Sequence, residues 1–391
     1  MGPLAGIRIV EFAGIGPAPF AAMLLSDLGA DVVRIDRVPA EGGVRDDLAR
    51  MTAGGLGRGR RSIAVDLKSP DGIAAALDLV AGSDALIEGF RPGVMERLGL
   101  GPAQCHARNA RLVYGRMTGW GQDGPMAPRA GHDLNYIALA GVLAHIGRRD
   151  EDPAVPLNLV ADFGGGGVLL ALGVVAALLE ARQSGRGQVV DASMAEGAGL
   201  LMTMMYELVG RGQWDLRREA NMNDGGAHFY SVYRTADDRH VAVAAMEPKF
   251  YANLLDALGL EPSELPAQWD RVQWPAMKRR FGGVFRTRTR DEWAADLEGR
   301  DCCVTPVLSM AEAPAHPHNV ARDAFVEVDG LVQPAPAPRF DRTPAMVERN
   351  APEPGEHTVE ILNERGADPG TIETLLASGS VAQARQREVS V

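Results

Sequence analysis

Cysteine is scarce in this chain: among 391 residues there are three, Cys105 and the adjacent Cys302 and Cys303. Three at those positions form neither a disulfide framework nor a zinc-ligand pattern, so no metal site is expected and a reduced cytosolic setting suits them. Cys302 and Cys303 read as small apolar strand residues. An excess of positive charge is also missing. The formal net charge of -11 excludes a general nucleic-acid binder, which presents a basic face to phosphate. The N-terminal MGPLAGIRIVEF lacks the charged region and apolar core of a signal peptide, and the C-terminal REVSV matches no peroxisomal or prenylation signal, so the expected location is cytoplasmic. One apolar run, GGGGVLLALGVVAALLEA, approaches the length of a membrane span. Four glycines open it and Glu180 closes it, which fits a buried core helix, and no contact with a membrane is expected. No internal repeat is present.

What is abundant points to a globular α/β chain. Hydrophobic residues make up 46% and charged residues 23%, while 46 Gly and 25 Pro imply many tight turns and close backbone approaches. The length favours two domains or one elaborated body. Strand-like IRIVEF, ADVVRID, SIAVDL, DALIEGF and RLVYGRMTGW alternate with helix-like APFAAMLLSDLG and SPDGIAAALDLVAG, the latter with Ser69 as cap and Pro70 as first helical residue. Such alternation predicts parallel βαβ units with both sheet faces covered. Helices dominate from Gly131 to about Gly212, with GQVVDASM as a strand. HFYSVYRTADDRHVAVAAM then reads as a hairpin opening a smaller α+β domain, followed by helices over EPKFYANLLDALGL, Trp274 to Phe285 and TRDEWAADLEG. From Ala313 the chain has the proline-rich composition of a linker before two last helical segments. The division expected is a large domain over 1–215, a small domain over 222–320, and a return linker with C-terminal helices rejoining the large domain over 321–391.

Three clusters could carry chemistry. AGIGPAP follows the first strand, but Gly14 and Gly16 lead into Pro17 and Pro19 rather than a third spaced glycine, so a tight strand-to-helix turn explains it better than a dinucleotide site. A basic group, Arg34, Arg37, Arg58, Arg60, Arg61, Lys68, Arg91 and Arg97, gathers at strand ends and loops. Loops after parallel strands bind ligands and arginine suits phosphate. The alternative is that several of these simply pair with Asp31, Asp36, Asp66 and Glu88, and composition leaves both open. The third cluster is His132 and Asp133, Asp162 before four glycines, and Glu247. Each has an ordinary reading as a cap or a first-turn acid. The glycines after Asp162 favour more, because bare backbone lets a ligand approach N–H donors.

Across these blocks the chain resembles the α-methylacyl-CoA racemases of the family III CoA-transferase superfamily. The carriers are GIRIVEFAGIGPAPFAAMLLSDLGADVVRIDR, GRGRRSIAVDLK, IEGFRPGVMERLGLG, MTGWGQDGP, AGHDLNY, PLNLVADFGGGG, GQVVDASM and MEPKFY. The resemblance implies a Rossmann-like large domain and a small domain in an interlocked homodimer. Active sites would then form between one subunit's large domain and the other's small domain. It implies that His132 and Asp162 are the two proton-transfer bases and that Glu247 orients His132. It matches Ile15, Arg37, Val65, Asp66, Leu67 and Lys68 to CoA-contacting stretches. The same holds for Gly89, Phe90, Arg91 and Arg97, and for Gly131, Asp133, Leu134, Asn135 and Tyr136. Coenzyme A is then part of the substrate and no separate cofactor is expected.

Inverting a centre beside a thioester carbonyl needs proton removal on one face and return on the other, which two opposed acid/base groups within about 3 Å of the carbon can do. Histidine titrates near neutrality, whereas an ordinary aspartate is a poor acid there. Partial burial of Asp162 would correct that mismatch. Donors for the enolate oxygen are expected at the start of the helix bearing Gly164 and Gly165 and at the N–H of Asp162, with Asn158 in the same pocket. Met194, Met202 and Met205 offer a flexible surface for an acyl chain. One departure is visible: GGAHFY puts His228 where the racemases usually have proline, and a surface or supporting position is expected for it. The rival reading is a family III CoA-transferase with Asp162 as nucleophile. His132 with Glu247 argues against it, since a transferase needs no second base.

Overall fold

The structure, a computed structural model, describes residues 2–39 and 54–384; REVSV lies outside them. The chain divides into two compact units. One comprises 1–140, 157–201 and 323–391, the other 141–156 and 202–322.

The first unit is built on β1 (Arg8–Phe12), β2 (Asp31–Arg37), β3 (Arg61–Val65), β4 (Ala85–Glu88), β5 (Val113–Thr118) and β6 (Val189–Ser193). A short last strand, later labelled β12 (Val381–Ala382), completes a seven-stranded sheet of order β12-β3-β2-β1-β4-β5-β6. All neighbours are parallel except β12, which runs antiparallel to β3. The order 3-2-1-4-5-6 is that of a doubly wound sheet, whose ligand crevice lies outside the carboxyl ends of the strands where the order reverses. Here that point is between β1 and β4.

Parallel strands covered on both faces read as unbroken apolar runs, and β3, β4 and β5 are buried along their whole length. Val10, Phe12, Ile35, Ile63 and Leu86 form the core with Leu79 of α2 (Pro70–Ala81) and Ile361 of the C-terminal helix α13 (Thr358–Glu364). Each such side chain contributes about 1.5–3 kcal/mol. Helix α1 (Pro17–Asp27) starts from Gly16 at φ 70°, a left-handed backbone that favours glycine, with Pro17 in its first turn. Ser69 caps α2 as the sequence predicts, accepting the Gly72 N–H at 3.5 Å.

Beyond β4 come the short helices α3 (Val94–Arg97), α4 (Pro102–Arg108) and α5 (Asp133–Leu139). A continuous helix then runs from Leu159 to Ser184: π-helical over Leu159–Val168 and α-helical, α6, over Leu169–Ser184. Among the described helices it alone is long and apolar enough to cross a membrane by length and composition. Its buried side, Leu170, Val174, Ala177 and Leu178 among others, covers the sheet, while Leu172 and Leu179 stay exposed. The expectation of a helix opening at the glycines is corrected: the four glycines lie inside it. Gly164 to Gly166 pack closely on α7 (Met194–Leu201), where a Cβ on Gly165 would meet the Ala198 nitrogen at 2.5 Å, and Gly167 packs on α1, where a Cβ would meet the Phe20 ring at 2.7 Å.

The second unit begins with 141–156 and α8 (Thr203–Gly210), then carries the antiparallel sheet β7 (Tyr230–Arg234), β8 (His240–Ala244) and β9 (Val304–Pro306). Helices α9 (Pro248–Ala257), α10 (Trp274–Phe285) and α11 (Arg290–Leu297) pack a largely aromatic core with Phe229, Tyr233, Phe281 and Trp293. Cys302 joins that core and Cys303, at φ 53°, is half-buried; both precede β9 rather than lie in it. The proline-rich stretch is also more ordered than its composition implies. It holds α12 (Pro317–Ala321) and, back in the first unit, the hairpin β10 (Phe325–Val328) and β11 (Leu331–Pro334). Asp329 and Gly330, both at positive φ, form its two-residue turn. Helix α14 (Pro369–Ala377) precedes β12.

Candidate functional site at the sheet switch point

The loops at the carboxyl ends of the strands carry most of the residues matched to CoA contacts. Ile15 follows β1, Arg37 ends β2, Asp66 to Lys68 follow β3, and Gly89 to Arg91 follow β4. Arg37, Lys68, Arg91 and Arg97 are exposed and able to meet phosphate. Val65 and Tyr136 are buried, so any contact there falls to backbone. Glu88, fully buried, shapes the β4 loop: one carboxylate oxygen accepts the Phe90 N–H at 2.7 Å and the other pairs with Arg116 at 2.9 Å. Burial raises its carboxyl above the ordinary range, against the Phe90 N–H and Arg116, which lower it.

The rest of the basic group is internal. Arg58 pairs with Asp27 at 2.6 Å, Arg60 with Glu11 at 3.0 Å, Arg61 with Asp31 at 2.8 Å and Arg34 with Asp36 at 2.8 Å, all four arginines being buried. For these four the ion-pair alternative holds: Arg34, Arg58 and Arg60 pair with buried carboxylates, and Arg61 with the partly exposed Asp31. A desolvated guanidinium already bound to a carboxylate has no free face for a second anion.

His132 and Asp162 come together through α5. His132 is the exposed residue before the helix, with extended backbone at φ -135°, and its N–H donates to Asn135 Oδ1 at 3.1 Å. Tyr136 donates its hydroxyl to the Gly131 carbonyl and stacks edge-on to Trp120 at 4.7 Å, holding the turn before the histidine. Asp133, the next residue, turns its carboxylate inward: Oδ2 accepts the N–H of Ala161 at 2.7 Å and of Asp162 at 2.8 Å. The carboxylate of Asp162 accepts the Asn158 amide at 3.1 Å and lies over Gly16, where a Cβ would stand 3.7 Å from Oδ2. Asp162 therefore sits at the β1 turn, beside the crevice.

Burial raises the Asp162 carboxyl above the ordinary range; the Asp133 charge adds to this, while Asn158 and His132 oppose it. The hydroxyl of Tyr136 is pushed up to about 12, first by burial and then by the charge of Asp162, with Arg91 acting the other way. The expected oxyanion donors are corrected. The Asp162 N–H is taken by Asp133, and Gly164 and Gly165 spend theirs within the helix that surrounds them. Asn158 serves as a partner of the Asp162 carboxylate. Met194 is buried in the first unit; Met202 and Met205 are half-buried in the second.

Glu247 belongs to the second unit, exposed at the N-terminus of α9, where Gln268 holds the preceding turn through the carbonyls of Ala245 and Met246. His228 is in the same unit, and of the surface or supporting position expected for it the surface alternative is excluded: it is 1% exposed. Its Nε2 bonds the Tyr251 hydroxyl at 2.8 Å, and rings of Phe229, Tyr251 and Phe281 surround it. Among the described residues no cluster of His, Cys, Asp or Glu is arranged to hold a metal ion.

The profile of CoA-transferase family III matches residues 4–358. The chain belongs to that family. Alpha-methylacyl-CoA racemase of Mus musculus is 48% identical over 366 residues, 93% of either chain, and that of Homo sapiens 47% identical over 365 residues, again 93% of either. A CAIB/BAIF family protein from Brucella suis has the same fold, with TM-score 0.80 at 24% identity over 93% of this chain and 99% of that one. For this family III chain, the sequence names Glu88 and Asp133 but not what their carboxylates do: Glu88 holds the β4 loop through the Phe90 N–H, and Asp133 turns inward onto Ala161 and Asp162.

Proposed function

We propose that this protein is a racemase interconverting the R and S forms of 2-methylacyl-CoA thioesters by proton transfer between two bases through an enolate. The observation that carries the reading is the pairing of an exposed imidazole at the start of α5 with a half-buried aspartate whose carboxyl is raised by that burial. It is supported by 48% identity to a curated racemase over nearly the whole chain.

Raising the Asp162 carboxyl brings it toward histidine, so that either group can give a proton while the other takes one. One base removes the α-proton, its electron pair moves into the thioester carbonyl to give the enolate, and the opposed acid returns a proton to the other face. The family pattern has His132 serve the S form and Asp162 the R form. The first N–H groups of α5, on Asp133 and Leu134, have no carbonyl one turn back to take them; they are the donors we assign to the enolate oxygen. CoA lies along Ile15, Arg37, Val65 to Lys68, Gly89 to Arg91 and Arg97, with Gly131 to Tyr136 at the thioester end, where the buried Asp133 offers its backbone and not its side chain. The chemistry needs no cofactor beyond the CoA of the substrate.

Glu247 is assigned to orient the imidazole of His132 from a second copy of the chain. Leu139, Leu172 and Leu179 are at least 60% exposed on the first unit, an apolar surface that supports a homodimer. Incubating a single enantiomer of a 2-methylacyl-CoA in D2O tests the function. Deuterium at the α-carbon with loss of optical purity is the expected result. Absence of exchange, with CoA moving to a free carboxylate, would establish transferase chemistry instead.

A further inference from the structure

We propose that Asp133 is a positioning residue for proton transfer: its side chain sets the spacing between the two bases and acts on the chemical step rather than on CoA binding. This rests on the two-base reading above. Asp133 directly follows His132 and is 3% exposed. Its Oδ2 takes the N–H groups of Ala161 and Asp162 at 2.7 and 2.8 Å. Both belong to the first turn of the long helix, where no carbonyl one turn back can accept them. A carboxylate accepting two N–H donors at a helix start is a strong, directional tie. One side chain therefore joins the residue next to the first base to the backbone of the second. Asp133 is not needed to close its own helix, because Asn135 does that through the His132 N–H.

The charge carries a second consequence. Oδ1 of Asp133 is buried with no hydrogen-bond partner, so the carboxylate keeps an oxygen out of water that an amide or hydroxyl in its place would not need to bury as a charge. That charge opposes ionisation of Asp162. The groups facing Asp162 are Asp133 and His132 from α5 and the neutral amide of Asn158 on its own segment. Tyr136, whose hydroxyl feels both carboxylates and Arg91, completes the set.

Two variants separate tie from charge. Asp133→Asn keeps an oxygen able to accept both N–H groups and loses the charge; Asp133→Ala loses both. For Asp133→Ala, kcat in both directions is expected to fall roughly 100-fold, as misplacement of a reacting group does, with KM unchanged. For Asp133→Asn, most of kcat is kept at the optimum while the acid limb of the kcat profile moves to lower pH. A structural role alone would leave that limb in place. An unmoved limb in Asp133→Asn, or a raised KM with unchanged kcat in either variant, overturns the proposal. Should Asp133→Ala fail to fold, the limb of Asp133→Asn decides. If the wild-type protein itself exchanges no α-proton, it is the racemase reading that fails.

Discussion

The backbone N–H of Asp162 donates to the carboxylate of Asp133 at 2.8 Å. Asp162 is thereby anchored through its main chain, which leaves its own carboxylate to face the β1 turn with Asn158 as a neutral partner. Anchoring by backbone and tuning by burial are separate here, and they can be tested separately.

Removing either base should stop inversion. His132→Ala and Asp162→Asn are each expected to lower racemisation by roughly 10²–10⁴, with binding of the acyl-CoA retained in equilibrium titration. Full activity in either variant contradicts its assignment.

The raised carboxyl of Asp162 has a stability consequence. Its folded-state pKa lies above the unfolded value, so the fold holds the proton more tightly than the open chain. That contribution is complete below the unfolded pKa and is lost as pH rises through the folded one. Asp162→Asn should therefore gain Tm relative to wild type as the pH is raised from acid to neutral. Parallel Tm curves for the two proteins would count against burial as the cause.

His228 has the opposite sign. Burial among Phe229, Tyr251 and Phe281 lowers it from 6.5 to about 4, so the folded protein keeps it neutral while the unfolded chain takes a proton. Stability from this group is present above 6.5 and lost as pH falls toward 4. Thermal denaturation of His228→Asn should show a flatter dependence across that window than wild type, whatever its Tm at neutral pH.

Arg60 and Arg91 should behave as different kinds of residue. Arg60→Met leaves the buried Glu11 carboxylate unpaired and is expected to destabilise the fold by about 3–5 kcal/mol, read by denaturant unfolding. Arg91→Ala, at an exposed loop, should leave stability unchanged and raise KM for acyl-CoA roughly tenfold or more, the loss of a charged hydrogen bond. The reverse pattern would return Arg60 to the CoA site.

The sequence makes the parallel βαβ body legible because its signals are local: β-branched runs, Ser69 before Pro70, and glycine at the turn into Pro17. The order of strands and the antiparallel β12 depend on pairing between segments far apart in the chain, on which periodicity is silent. Arginine in GRGRRSIAVDLK looks the same whether it faces solvent or Glu11, so the burial of Arg58, Arg60 and Arg61 was not legible. His132, Asp162 and Glu247 are assigned from their motifs; the structure puts His132 near enough to act on the charge of Asp162 and puts Glu247 in the other unit. The glycines after Asp162 read as an open helix start because nothing local announces a π-helical turn begun at Leu159. Asp133 read as a first-turn acid of its own helix, and only the fold shows that it caps a neighbouring one.

The central claim is that two bases serve two faces, and α-proton exchange in D2O by the single-base variants tests it most directly. With either pure enantiomer as substrate, Asp162→Asn should exchange the α-proton of the S form without inverting it, and His132→Ala that of the R form. Inversion persisting in either variant, or loss of exchange from both enantiomers in one variant with full exchange of both in the other, would contradict the account.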